Sequence, residues 1–157
     1  MMEILLLSGS TVSPAFDDLF LRISADARVI YQRPDTEEMK PHLDVFPWFE
    51  NLETMIREVD LVITHAGAGN VFELLEIGSK PFIVVPNTQR SDKHQTELAW
   101  FLKNKDLCPV VSPDQLNTLN LIELFQLASR RNFKRYVPEP FTGYDFVFEF
   151  VFESIEE

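Results

Sequence analysis

The sequence is poor in cysteine and in positive charge, and it has no long apolar run. Its single cysteine, Cys108, excludes any disulfide within the chain. A lone thiol fits a reducing compartment better than an oxidising one. Cys108 lies in the apolar run Leu107-Cys108-Pro109-Val110-Val111. A buried structural thiol is expected there rather than a nucleophile. Lysine and arginine together number 14 against 25 aspartates and glutamates, a formal net charge of −11. Nucleic-acid backbones and anionic membranes are held by clustered cations, so neither is an expected partner of the general surface. One local anion site made of backbone N–H groups stays compatible with that charge. No stretch approaches the roughly 20 apolar residues that span a bilayer. The opening Met1-Met2-Glu3-Ile4-Leu5-Leu6-Leu7 lacks a basic leader region and reads as a buried first strand, not a signal peptide. A chain that is neither secreted nor membrane-spanning is the expectation. His42, His65 and His94 are far apart, and no His/Cys pair has metal-ligand spacing, so no metal site is expected.

What is present is the balance of an ordinary globular domain: 157 residues, 45% hydrophobic and 25% charged. That length fits one domain over 1–157 with a core needing no staples. Short apolar runs alternate with longer periodic segments, the pattern of βαβ units. Strands are predicted at 4–7, 28–31, 43–46, 60–64, 81–85 and 108–111. Helices are predicted at 16–23, around 52–59, from about 70 to 77 with Gly78 as the stop, and at 92–105. A further helix is predicted from the Ser112-Pro113-Asp114 cap to about 131. Pro138 and Pro140 break the chain before a final segment near 143–157. The outer strands look as buried as the central ones. The expected fold is an open, mostly parallel, doubly wound Rossmann-like sheet, whose ligands bind outside the carboxyl ends of the strands.

The strongest local signal is the strand, turn and helix start Asp60-Leu61-Val62-Ile63-Thr64-His65-Ala66-Gly67-Ala68-Gly69-Asn70-Val71-Phe72-Glu73. Gly67 and Gly69 lack Cβ atoms and let a ligand approach the backbone. Free N–H groups and the dipole of the helix start favour a diphosphate. Glu73 lies about one turn into the helix, where a carboxylate can accept hydrogen bonds from a ribose diol. The spacing is not the dinucleotide fingerprint. A tight strand–helix turn with no ligand accounts for the glycines as well. A second turn, Leu7-Ser8-Gly9-Ser10-Thr11, follows the first strand and can meet the same phosphates, or be only a loop. A third element, Val84-Val85-Pro86-Asn87 with Asp92-Lys93-His94-Gln95, brings polar groups to the same rim. An amide such as Gln95 suits sugar hydroxyls. Asp17-Asp18 reads as a charge complement to a helix start rather than an acid/base pair, and no residue is singled out as the catalytic group.

Taken together, these runs resemble a known family. Val62-Ile63-Thr64-His65-Ala66-Gly67-Ala68-Gly69, Glu73, Gly78-Ser79-Lys80-Pro81-Phe82-Ile83-Val84-Val85-Pro86-Asn87 and His94-Gln95-Thr96-Glu97-Leu98-Ala99 carry the likeness. They are similar to the small catalytic subunits of the two-part UDP-N-acetylglucosamine (UDP-GlcNAc) transferases that make dolichol-diphosphate chitobiose. More widely they resemble the C-terminal half of GT-B glycosyltransferases of family 28. Gly9-Ser10-Thr11 and Phe16-Asp17-Asp18-Leu19 look like the family's opening motifs, with a slightly longer loop at Val12-Ser13-Pro14-Ala15. The resemblance implies that Gly67, Ala68 and Gly69 line the UDP diphosphate and that Gly9 and Thr11 close its phosphate side. It implies Glu73 at the ribose, and His94, Gln95 and Asn87 at the sugar. It implies no cofactor, with UDP-GlcNAc as donor and a lipid-diphosphate-linked GlcNAc as acceptor. It also implies a membrane-anchored partner subunit that supplies the acceptor half and recruits this chain to the cytosolic face of the endoplasmic reticulum. A bacterial exopolysaccharide transferase subunit with another UDP-sugar, and a non-catalytic nucleotide-sugar-binding subunit, fit the same residues. The final segment 143–157 reads as a helix with a wide apolar surface, which closes this domain's core or also touches the partner.

Overall fold

Apolar runs four or five residues long, bounded by turn residues, are what strands buried on both faces look like. Among the described residues four such runs and one two-residue strand form the sheet: β1 (Glu3–Leu7), β2 (Arg28–Gln32), the short β3 (Val45–Phe46), β4 (Leu61–His65) and β5 (Phe82–Val85). The computed structural model describes residues 1–37, 44–89, 92–129, 133 and 136. All pairings are parallel, and the strand order is β3-β2-β1-β4-β5. The pleat sends alternate side chains to opposite faces. Ile4 and Leu6 join Val29, Tyr31, Leu61 and Ile63 in one core layer, while Leu5 and Leu7 join Ile30, Val62 and Val84 in the other. Helices α1 (Pro14–Ile23), α5 (Pro113–Leu116) and α6 (Leu121–Ala128) cover the first layer, and α2 (Leu52–Glu58), α3 (Ala68–Ile77) and α4 (His94–Asn104) the second. The doubly wound parallel sheet is therefore as expected.

Three local expectations are corrected. The helix predicted from Ser112 to about 131 is two helices. α5 closes after one turn, and Asn120 starts α6 with its own capping box, its side chain accepting from the Glu123 N–H at 2.8 Å. Asn and Thr side chains bond the nearby backbone and so compete with helix continuation; Thr118 Oγ1 donates to the Gln115 carbonyl at 2.8 Å. The strand predicted at 108–111 is a single bridge, Val110 to Val84. Pro109 has no N–H to give, so only its carbonyl pairs, accepting from Val84 at 3.0 Å. The outer strands are not equally buried: β5 is inside, but β3 is two residues long and Phe46 is 38% exposed. Leu43, His42, Pro138, Pro140 and the segment 143–157 lie outside the described residues.

Two buried polar groups complete the frame. Arg33, 1% exposed, grips Asp17 through Nε at 2.8 Å and Nη2 at 3.0 Å. The Tyr31 hydroxyl donates to the same carboxylate at 2.6 Å, and burial followed by that carboxylate raises its pKa well above the ordinary phenol range. Asp17 is thus in the first turn of α1, as the charge reading placed it, and has a second role as the partner of Arg33. The Cys108 thiol is buried, which pushes its pKa up to about 12 and keeps it protonated.

Candidate functional site

Because every strand is parallel, the carboxyl ends share one rim. The strand order reverses at β1, which has β2 on one side and β4 on the other. Turns leaving β1 and β4 at such a switch point diverge and open a crevice. Here those turns are the two glycine turns. The His65 ring at the end of β4 is packed against both. A Cβ on Gly9 would come within 2.3 Å of that ring, and a Cβ on Gly67 within 2.2 Å. Gly9 has φ +76°, a left-handed conformation suited to glycine. His65 Nε2 lies 3.2 Å from Asn70 Nδ2. Gly69 differs from both: a Cβ there would meet nothing within 4 Å. The backbone at Gly69 is open to an incoming group.

The electrostatics agree with that opening. Helices α1, α2, α5 and α6 are capped by the side chains of Ser13, Asn51, Ser112 and Asn120. The N-cap residues of α3 and α4, Gly67 and Lys93, give no side-chain cap, although Asp92 takes the first amide of α4. α3 begins after Gly67 and carries no acid in its first turn. The orphan amides of a helix start and the positive end of its dipole then face the open space at Gly69. An anion, and a diphosphate in particular, is the group such a place can hold.

The other expected residues sit at the same rim with roles that spacing alone does not give. Gln95 is 5% exposed, and its Oε1 accepts from the Ala66 N–H at 3.1 Å and the Asn87 N–H at 2.9 Å. It ties the turn after β4 to the end of β5. Asn87, also buried, donates through Nδ2 to the Val12 carbonyl at 3.3 Å and accepts from the Gln89 N–H at 3.0 Å. His94 is the exposed first residue of α4, its N–H held by Asp92 Oδ1 at 3.1 Å. Thr11 is half-buried, its carbonyl accepting from Ser8 Oγ at 2.7 Å. The Gly9 N–H is already engaged by Gln32 Oε1 at 2.7 Å. Ala68 and Gly69 are exposed in the first turn of α3. Glu73 follows one turn later, half-buried, in a shallow depression shared with Glu53 and Arg57 of α2 and with Glu76. Loss of water raises the Glu73 carboxyl pKa, and repulsion from Glu53 and Glu76 adds to it. Sequence reasoning missed Gln32 and Arg33. Their signal was faint: two polar residues at and just beyond the end of a strand with an apolar centre.

Residues 19–136 match the glycosyltransferase family 28 C-terminal domain. The chain belongs to that family. It is 29% identical over 144 residues to the UDP-N-acetylglucosamine–N-acetylmuramyl-(pentapeptide) pyrophosphoryl-undecaprenol N-acetylglucosamine transferase of Campylobacter jejuni, covering 83% of this chain and 41% of that protein. It is 49% identical over 57 residues to the human UDP-N-acetylglucosamine transferase subunit ALG13, covering 36% of this chain and 5% of that one. Acinetobacter baumannii MurG superposes with a TM-score of 0.59 at 21% identity, over 96% of this chain and 52% of that one, a likeness of fold. The chain spans less than half the length of the curated relatives it matches. Among the described residues no helix is long and apolar enough to cross a membrane.

Proposed function

We propose that this family 28 domain is the donor-binding half of a glycosyltransferase that moves N-acetylglucosamine from UDP-GlcNAc to a lipid-diphosphate-linked GlcNAc. The reading is the second step of dolichol-linked oligosaccharide synthesis, carried out with a membrane-anchored partner at the cytosolic face of the endoplasmic reticulum. The observation that carries it is the uncapped start of α3 beside open backbone at Gly69, at the switch point of the sheet. In this reading the amides around Gly67, Ala68 and Gly69 hold the diphosphate, and the turn at Gly9 and Thr11 walls the phosphate side. The same helix start stabilises the charge that develops on departing UDP. Glu73 accepts from the ribose hydroxyls. His94 and Asn87 border the sugar, and Gln95 reaches it through Nε2, since its Oε1 holds two backbone amides. The donor is a substrate, and the reading involves no resident cofactor.

Support for the donor comes from relatives whose names carry UDP-N-acetylglucosamine, and support for a partner from the word subunit in two of those names. Titration calorimetry of the chain with UDP-GlcNAc, UDP-galactose and UDP tests the reading. Binding of UDP and UDP-GlcNAc, with UDP-galactose weaker, is expected. If none of the three binds, the donor site is wrong. A preference for UDP-galactose would redirect the assignment to a different UDP-sugar.

A further inference from the structure

The pairing of β1 with β2 continues one residue further than the strands themselves. The last register pair is Leu7 with Gln32, and the Gln32 carbonyl then accepts the Ser8 N–H at 3.1 Å. At Gly9 the chain turns to φ +76° and leaves the ladder. The Gln32 side chain follows it. Oε1 accepts from the Gly9 N–H at 2.7 Å, and Nε2 donates to the Gly9 carbonyl at 3.0 Å. A side-chain amide here does what a backbone peptide does inside a sheet. Nε2 also donates to the Pro47 carbonyl at 2.9 Å, just beyond the edge strand β3. A primary amide offers one acceptor oxygen and two N–H donors; here the oxygen and the nitrogen are both bound to backbone. Gln32 is buried, so these bonds form away from competing water.

The clamp reaches the site through His65. Gly9 is packed against the His65 ring so closely that a Cβ would displace the ring, and the same ring crowds Gly67 in the same way. Where the Gly9 turn stands therefore sets where the ring stands over the start of α3. We propose that Gln32 is a positioning residue, whose amide holds the Gly9 turn so that the His65 ring stays seated against Gly9 and Gly67. Its effect on ligand rests on the donor-site reading above, while its effect on His65 does not. A simple staple at a strand end would contribute stability and leave the folded site unchanged. A positioning clamp changes the site in molecules that remain folded.

The test uses the full chain with three measurements. In the unmodified chain the Gly9 amide should exchange slowly with deuterium, and fast exchange overturns the clamp. Gln32→Ala removes all three bonds. Gln32→Glu keeps length and the acceptor for Gly9 but loses both donors, and it serves if the alanine variant does not fold. In a variant whose circular dichroism matches the parent, the His65 ring carbon–proton resonances should shift. Its dissociation constant for UDP should rise, by about tenfold for alanine and less for glutamate. Unchanged His65 resonances in a folded variant overturn the proposal, and so does unchanged affinity in a chain that binds UDP. If the unmodified chain binds no UDP, the donor reading fails, and the His65 resonances still decide the role of Gln32.

Discussion

Gly67 and Gly69 stand two residues apart in one turn, and a methyl group at each would have opposite consequences. At Gly67 it would strike the His65 ring at 2.2 Å; at Gly69 it would meet nothing within 4 Å. Gly69 lies inside the first turn of α3, where alanine restricts the unfolded chain more than glycine does, a gain of roughly 0.5–1 kcal/mol in helices. Gly69→Ala is therefore expected to hold or raise the melting temperature. It should also weaken UDP binding, because the methyl would occupy the space in front of the helix amides. Undiminished affinity by calorimetry would remove the diphosphate from the start of α3. Gln95 gives a second separation. Gln95→Ala leaves the buried Ala66 and Asn87 amides without their acceptor, at about 1–3 kcal/mol for each orphaned group. Gln95→Glu keeps an acceptor for both. Urea denaturation should show the smaller loss for glutamate, and calorimetry should show weaker UDP-GlcNAc binding if Nε2 touches the sugar. Equal stability losses would mean the two backbone bonds are not what holds the rim. Sequence spacing placed Gln95 at the correct rim because it follows a strand in the first turn of a helix. It was silent on the bonds, since Ala66 is 29 residues away and the Gln32–Gly9 clamp spans 23. Such pairs are created by the sheet, and no local period records them.

Between residue and fold, the strands were legible and the breaks were not. β1, β2, β4 and β5 are apolar because both faces are covered, so composition alone marks them. β3 and the α5–α6 break depend on a few polar residues whose choice between helix and cap is settled by neighbours. The groove between α2 and α3 is the element-scale feature with a chemical consequence. Glu73 faces Glu53 and Arg57 across it, with Glu76 on its own helix. A raised carboxyl pKa means that the folded chain binds the proton more tightly than the unfolded chain. The stability tied to Glu73 is then present at low pH and lost as pH rises through the carboxylate range. Glu73→Gln should be more stable than the parent at neutral pH by a small margin, and the difference should vanish on acidification. The same change should weaken UDP binding, because a neutral amide is a poorer acceptor for a ribose diol. Denaturation at two pH values and one calorimetric titration check both halves. Weaker binding without the pH-dependent stability difference would mean that the groove does not crowd the carboxylates. The stability difference without weaker binding would remove Glu73 from the ribose.

For the whole molecule, topology puts the candidate groups other than Glu73 on one rim and leaves that rim as one wall. Five parallel strands end there, with Gly9, His65, Gly69, Asn87 and Gln95 at or beside their carboxyl ends. Ligand sites usually bury 70–90% of a small molecule's surface, roughly more than a single rim can cover. The chain spans 41% of the Campylobacter jejuni transferase it matches, and the proposed reading draws the second wall from a partner. Binding and transfer should then separate. The chain alone should bind UDP-GlcNAc weakly, because its amides are in place without a partner. It should transfer no radiolabelled N-acetylglucosamine to a lipid-diphosphate-GlcNAc acceptor. Adding the proposed membrane-anchored partner should tighten donor binding and start transfer. With a net charge of −11, the chain should associate with a basic partner face more weakly as salt rises. Transfer by the isolated chain would mean that its own residues complete the active site. Donor binding without transfer, with the partner present, would make the chain a nucleotide-sugar-binding subunit whose chemistry lies elsewhere.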